Sequence, residues 1–219
     1  MELLLWLHTK ENSDLISYLL IGSLFFSLSE SFLSWQVGEE VKTGKISKLL
    51  LYPTNIFSNY LTQGFFRCFY IGLSYFPWML ILYFLYRPNL GENISRIWIF
   101  PVIFIISWLI RVLFDLVSGF LTFWLTTFEG LSYFNYNFVA ISSGSLFPLD
   151  YLPKYLYDIA IFNPFAFTFY HPMQIYLGKY STLETLYVFA GGITWCVVLY
   201  FLARWVFKMG LTRNEAVGL

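Results

Sequence analysis

Residues 144–178 read GSLFPLDYLPKYLYDIAIFNPFAFTFYHPMQIYLG, a run that breaks helix repeatedly without leaving apolar company. Pro148, Pro153, Pro164 and Pro172 each lack a backbone donor and obstruct continuous helix, yet their neighbours are Phe, Tyr, Leu and Ile rather than solvating side chains. In lipid an unpaired N–H or C=O is costly enough that broken helix is tolerated only when protein covers it or it lines a cavity. Two readings fit. The run re-enters the membrane, packed on other helices at the mouth of a pathway, or it is an outer loop lying on the membrane surface.

The rest of the chain sets this run among membrane helices. Only 12% of its 219 residues are charged and 58% are hydrophobic, with a mean hydropathy of +0.63, whereas a soluble domain carries about 25% charged residues. The reading is an all-α integral membrane protein. Thirteen Lys and Arg balance thirteen Asp and Glu, so neither a nucleic-acid footprint nor a polybasic lipid-binding tail is present. Cys68 and Cys196 lie far apart in apolar stretches without metal-ligand spacing, and read as buried free thiols. His8 and His171 fall in no HExxH, GxSxG or other nucleophile-and-base pattern, so no catalytic residue, metal site or bound cofactor is expected.

A membrane helix needs about 20 mostly apolar residues. Five stretches answer to that, at approximately 15–36, 57–86, 97–127, 131–147 and 183–209. The first is diluted by serines and Glu30, and the fourth is short and carries Asn135, Asn137, Ser142 and Ser143, so both are expected to pack against protein. Lys42, Lys45 and Lys48, beside a span end, together with a basic C-terminal tail, favour a cytoplasmic 37–56 segment and a cytoplasmic C-terminus, although the overall Lys/Arg difference between the two sides is a single charge. Met1 then lies outside, followed by LLLWL, which looks like the outer end of a helix whose beginning is absent. MELLLWLHTK is neither a signal peptide nor a complete span. With no repeat, linker or soluble domain, residues 1–219 are expected to form one transmembrane unit.

Charges inside these spans should be paired or wet, since each costs about 2.5 to 3.5 kcal/mol at a helix centre. Arg111 and Asp115 are four residues apart, which on a helix puts them on one face as a local ion pair. Glu30 and Arg67 lie at comparable depth on consecutive spans, each about 12 Å or a little more from the presumed cytoplasmic end, so antiparallel neighbours could pair them. Snorkelling to the interface is the alternative for each.

Two polar landmarks and the proline-rich run occur in a telling order. VGEEVKTGKISKLLLYPTN from Val37 to Asn55 comes first, then FWLTTFEG from Phe123 to Gly130, then the run ending in PMQIYLG. This order resembles the permease subunit of type-2 ABC exporters, the ABC-type multidrug, polysaccharide and lipid exporters. Val41, Gly44, Ile46, Ser47, Leu49, Leu50 and Pro53 lie within a stretch, 41–53, that fits an I/V-x-x-G-x-I-S-x-x-L-L-x-P segment found after the second span in such permeases. Gly144, Phe147, Pro148, Leu149, Leu152, Pro153, Pro164, Phe165, Tyr170, Pro172 and Gly178 fit the family's outer segment. The resemblance covers roughly residues 15–219 and departs at the front, where the family has a further span preceded by an amphipathic helix.

The resemblance implies a permease without an ATP site of its own. It would be half of a translocation pathway in the cell (inner, cytoplasmic) membrane, paired with a second permease, identical or related, and served by two copies of an ABC ATPase that hold the ATP and Mg. Residues 37–56 would be the cytoplasmic coupling segment, with Glu39 and Glu40 at a helix N-terminus, Lys45 and Lys48 later, Leu49, Leu50 and Leu51 an apolar face, and Gly44 a turn or close approach. Residues 148–182 would re-enter from outside, Phe147, Tyr151, Phe165 and Tyr170 forming an apolar rim to the exit. Two rivals stay open. One is a membrane-embedded lipid-modifying enzyme, for which His171 with Asp150 or Asp158 is the only candidate pair; the other is a non-transporting scaffold.

Overall fold

A computed structural model describes residues 21–86, 99–125 and 127–216. All regular structure among the described residues is helical: α1 over residues 21–29, α2 Leu33–Lys42, α3 Lys45–Leu50, α4 Ile56–Tyr86, α5 Ile99–Phe120, α6 Glu129–Ser142, α7 Lys154–Ala160, α8 Tyr170–Tyr176 and α9 Thr182–Ala216. Short 3-10 turns at Leu121–Phe123, Leu149–Tyr151 and Ala166–Thr168 join them. The LLLWL fragment, His8 and the start of the first expected span lie outside the described residues.

Two helices among the described residues are long and apolar enough to cross a membrane: Ile99–Phe123, with mean hydropathy 2.2, and Thr182–Arg213, with 2.0. They run parallel, since Gly192 packs beside Ile106 near one end and the rings of Phe120 and Phe207 sit 4.7 Å apart near the other. The 31-residue α4 runs the opposite way, its Tyr60 ring 6.2 Å from Phe120 and its Phe65 ring 6.3 Å from Trp108. Pro77 sits inside α4, a position tolerated in apolar helices when neighbours re-satisfy the freed carbonyl.

The expected first span, 15–36, is not one helix. Residues 30–32 leave the helical conformation, with Phe32 at φ 51°, between α1 and α2. The cause is Asp115: Ser31 Oγ donates to Asp115 Oδ2 at 2.5 Å and accepts a longer bond from the Leu33 N–H at 3.4 Å. The expected fourth span, 131–147, is helical only through Ser142, so the 14 residues of α6 reach about 21 Å, short of a hydrocarbon core of about 30 Å.

Helix α5 is central. Both its flanks are buried, with Ile103, Ile110, Val112, Leu116 and Phe120 at 2% exposure or less. Between helices in lipid there is little hydrophobic driving force, so close packing carries the association. Gly119 shows how: a Cβ there would lie 2.6 Å from Val37 Cβ, so the glycine lets α2 approach α5 backbone to side chain.

The result is a bundle with two distinct ends. One gathers the C-terminus of α2, α3, residues 51–55, the start of α4, the end of α5 and the last turns of α9. The other gathers the start of α5, the start of α9 and the broken run 144–181, whose Phe167 packs on Gly191.

Candidate functional site

At the first end the stretch expected to be the coupling segment, 37–56, forms a helical hairpin. Gly44, at φ 72°, turns the chain from α2 into α3, a conformation that costs residues with a Cβ about 1–2 kcal/mol. Among the described residues, chain neighbours aside, no atom lies within 4 Å of a Cβ built there, so the turn rather than a close approach requires the glycine. Glu39 and Glu40 do not stand at a helix N-terminus. They fall near the C-terminal end of α2, because the helix begins already at Leu33. Lys45 opens α3 and Lys48 lies in its last turn.

The segment's side chains divide by direction. Val41 and Ile46 are buried and anchor the hairpin on α4 and α5, with Leu49 packed against the same core. Glu40 is tied inward, accepting from Tyr60 Oη at 2.5 Å and from Gln36 Nε2 at 2.9 Å. Glu39 meets Lys45 at 3.4 Å on the exposed side, and Lys42 Nζ donates to the Leu125 carbonyl. Lys45, Ser47 and Leu50 face outward. Leu51, 85% exposed, and Tyr52 extend that apolar tip. Tyr52 went unread because a tyrosine at a presumed interface is ordinary.

Midway along the bundle the charges come together. Arg111 Nη2 lies 3.3 Å from Glu30 Oε1 and Arg111 Nε 3.6 Å from Asp115 Oδ1, so the expected helical pair is present but has a third member. Asp115 also accepts from Asn135 Nδ2 at 2.8 Å, which joins α6 to the cluster. The expected Glu30–Arg67 pairing is not formed. Arg67 is exposed and its guanidinium lies 4.3 Å from the centre of the Phe32 ring, because the turn at Phe32 puts that ring in its way while Glu30 turns to α5.

At the second end, the run 144–181 answers the demand for backbone cover. Asn163 Oδ1 accepts from the N–H groups of Phe165 and Ala166 at 2.7 and 2.9 Å, while its Nδ2 donates to the Ser142 and Ala160 carbonyls. Ser107 Oγ donates to the Phe167 carbonyl at 2.7 Å and Trp195 Nε1 to the Phe162 carbonyl at 3.0 Å. Left-handed glycines, Gly144 at φ 82° and Gly178 at φ 71°, bracket the run. Pro172 is buried in α8, Pro148 and Pro164 are half-buried, and Pro153 is exposed before α7.

The expected rim splits in two. Phe147 and Tyr151 are exposed, but Phe165 and Tyr170 are buried in packing, since Asn163 turns the chain inward just before them. Tyr170 Oη donates to Asp150 Oδ1 at 2.5 Å, and burial followed by that bond raises its hydroxyl above the ordinary tyrosine range. Gln174 Nε2 donates to Asp150 Oδ2 at 2.8 Å. His171 Nε2 lies 2.9 Å from the Ile161 carbonyl and Nδ1 2.8 Å from Tyr180 Oη, so the neutral ring donates to the first and accepts from the second. Burial lowers its pKa below the usual imidazole value. Both ring nitrogens are thus committed, and the His171–Asp150 or His171–Asp158 dyad required by a lipid-modifying enzyme is not assembled. Among the described residues no group of three or more His, Cys, Asp or Glu is arranged to hold a metal ion.

A family model described as ABC-2 family transporter protein matches residues 11–218, nearly the whole chain. The chain belongs to the ABC-2 transporter family. It is therefore a permease, the transmembrane component of an ABC transport system, of a kind that associates with ABC ATPase subunits. No curated protein and no solved structure matches it.

Proposed function

We propose that this permease forms half of the translocation pathway of an ATP-driven exporter in the cytoplasmic membrane, crossing it five times. The α2–α3 hairpin contacts a separate ATPase that holds ATP and Mg. A second permease, identical or related, completes the pathway, and two ATPase copies drive it. The observation that carries this reading is the position of the hairpin and the broken run at opposite ends of the parallel pair α5 and α9. A motor contact and an exit need that separation. Chain direction supports five crossings: α1–α2, α4, α5, α6 together with the residues that follow Ser142, and α9 alternate between the two ends.

The hairpin suits a motor contact physically. Ile46 fixes it rigidly to the core, so a push on Lys45, Ser47, Leu50 or Leu51 moves α2 and α4 with it instead of bending a loop. Residues 148–182 then re-enter from the outer side, with lysines of the hairpin and the α9 tail on the cytoplasmic side.

The test is co-expression with a candidate ABC ATPase subunit, using Ser47→Cys in a background lacking Cys68 and Cys196. Ser47→Cys is expected to cross-link to the ATPase, whereas Tyr151→Cys is not. Gly44→Val, which strains the turn, should reduce ATPase capture several-fold while Gly44→Asn retains most of it. Absence of any cross-link from the hairpin in an assembled complex would refute the coupling assignment.

A further inference from the structure

A cavity of about 400 Å³ opens between the α1–α2 break and α6. Its lining joins buried charges, Glu30, Asp115 and Arg111, to the rings of Trp35, Tyr133 and Tyr136. Two carboxylates oppose one guanidinium there, and the three residues are only 6%, 0% and 3% exposed, respectively. One carboxylate more than guanidinium lies there, an excess that is relieved when Glu30 takes up a proton or when a cation joins the site. Arg67 acts on Glu30 only from a distance: it is exposed, lies behind the Phe32 ring of the cavity wall, forms no ion pair with Glu30 and is not part of the lining.

The walls suit a cation as well. The Trp35 and Tyr133 rings meet edge to face at 5.7 Å, and both side chains are more than a third exposed, as is Tyr136. Aromatic faces attract ammonium groups through the ring quadrupole, Trp most strongly. Arg111 adds a second requirement, since its Nη1 is buried without a hydrogen-bond partner among the described residues. A ligand meeting it has to bring an acceptor. The volume falls within the range of about 300–1,000 Å³ typical of small-molecule sites.

We propose that this cavity binds an organic monocation, an ammonium-bearing amphiphile with a hydrogen-bond acceptor close to its charged head. The head sits against Glu30 and the Trp35, Tyr133 and Tyr136 rings, the acceptor faces Arg111, and the apolar remainder points along α6. That such a molecule is cargo rests on the permease reading above; the binding itself does not.

The test is therefore made on the full-length permease in nanodiscs, without ATPase. Benzoylcholine, whose ester carbonyl is an acceptor near a quaternary ammonium, is titrated against 3,3-dimethylbutyl benzoate, the uncharged isostere with carbon in place of nitrogen. Calorimetry on the wild type is expected to show the cation binding about tenfold tighter or more. That preference should vanish in Glu30→Gln and shrink in Trp35→Leu. Equal binding of the two compounds to the wild type would overturn the proposal, as would tighter binding of the neutral one or a preference that survives both substitutions. Should Glu30→Gln not fold, the wild-type comparison and Trp35→Leu still decide. A cation preference without hairpin cross-linking would keep the site and remove the exporter role, and the reverse would keep the exporter and remove the site.

Discussion

Arg111 Nη2 meets Glu30 Oε1 at 3.3 Å across 81 residues of chain, while its Nε faces Asp115 one turn along its own helix. One buried cation thus serves two carboxylates, and removing different members has unequal consequences. Arg111→Met leaves two carboxylates buried together and is expected to cost about 3–5 kcal/mol. Glu30→Gln leaves a balanced Arg111–Asp115 pair, so its cost should be small. Asp115→Asn falls between, because Glu30 still opposes Arg111 but the Ser31 and Asn135 bonds lose their charged acceptor. Thermal unfolding in detergent, followed by fluorescence-detected size exclusion, ranks the three. Glu30→Gln proving as damaging as Arg111→Met would contradict the shared-cation arrangement.

The sequence carried one half of this cluster and hid the other for a simple reason. Arg111 and Asp115 obey the four-residue helical spacing, a local rule readable from the chain alone. Glu30 reaches Arg111 only because α1 stops at Ser29 and Phe32 adopts a left-handed conformation, and phenylalanine has no preference that would announce such a turn. The opposite ends of the bundle were legible in a similar, uneven way. Gly44 in its polar surroundings marked the hairpin turn, and the prolines marked the broken run. The direction of each side chain within those segments depended on tertiary packing: Val41 and Ile46 turned inward beside the outward Lys45 and Ser47, and Phe165 and Tyr170 went into the core after the Asn163 turn.

Close approach of α2 to α5 depends on Gly119, where a Cβ would fall 2.6 Å from Val37 Cβ and 3.4 Å from the Ser34 carbonyl. Gly119→Ala is expected to destabilise by about 1–3 kcal/mol through overpacking. Combining it with Val37→Ala should recover part of that loss, since the methyl groups that collide are then gone. A double variant no more stable than Gly119→Ala in the same unfolding assay would show that the contact is not what the glycine serves.

Acid should loosen the second end through His171. Its imidazole is held neutral by burial, with a pKa below the ordinary value near 6.5. An unfolded chain binds a proton at a pH where the folded one does not, so stability rises with pH through that window and falls as pH drops below about 6.5. Between pH 8 and pH 5.5 this one group is expected to cost at most about 1.4 kcal/mol per pH unit, read as the difference between the wild-type profile and that of a His171 variant. His171→Gln, whose amide nitrogen reaches the place of Nε2 as donor to the Ile161 carbonyl, should be less stable at pH 8 and show a flatter profile. Identical slopes for the two proteins would mean that His171 does not titrate between folded and unfolded states.

The broken run offers the most direct test of an outer gate, because its side chains separate into two kinds. Phe147 and Tyr151 are exposed, and Tyr155, Ile159 and Phe162 continue that apolar surface along and after α7. Phe165 and Tyr170 are packed in the interior, Tyr170 at 1% exposure. Single cysteines in a background lacking Cys68 and Cys196 should therefore divide the same way. Tyr151→Cys and Tyr155→Cys are expected to react with a membrane-impermeant thiol reagent added from outside, at rates that differ between the ATP-bound and nucleotide-free complex if the surface opens and closes with the motor. Phe165→Cys should stay unreactive in both states, since its cover comes from Phe114 and Phe138 rather than from the gate. Labelling of Tyr151→Cys that is fast and indifferent to nucleotide would make the run a static surface loop, and labelling only from the cytoplasmic side would reverse the orientation of the whole permease.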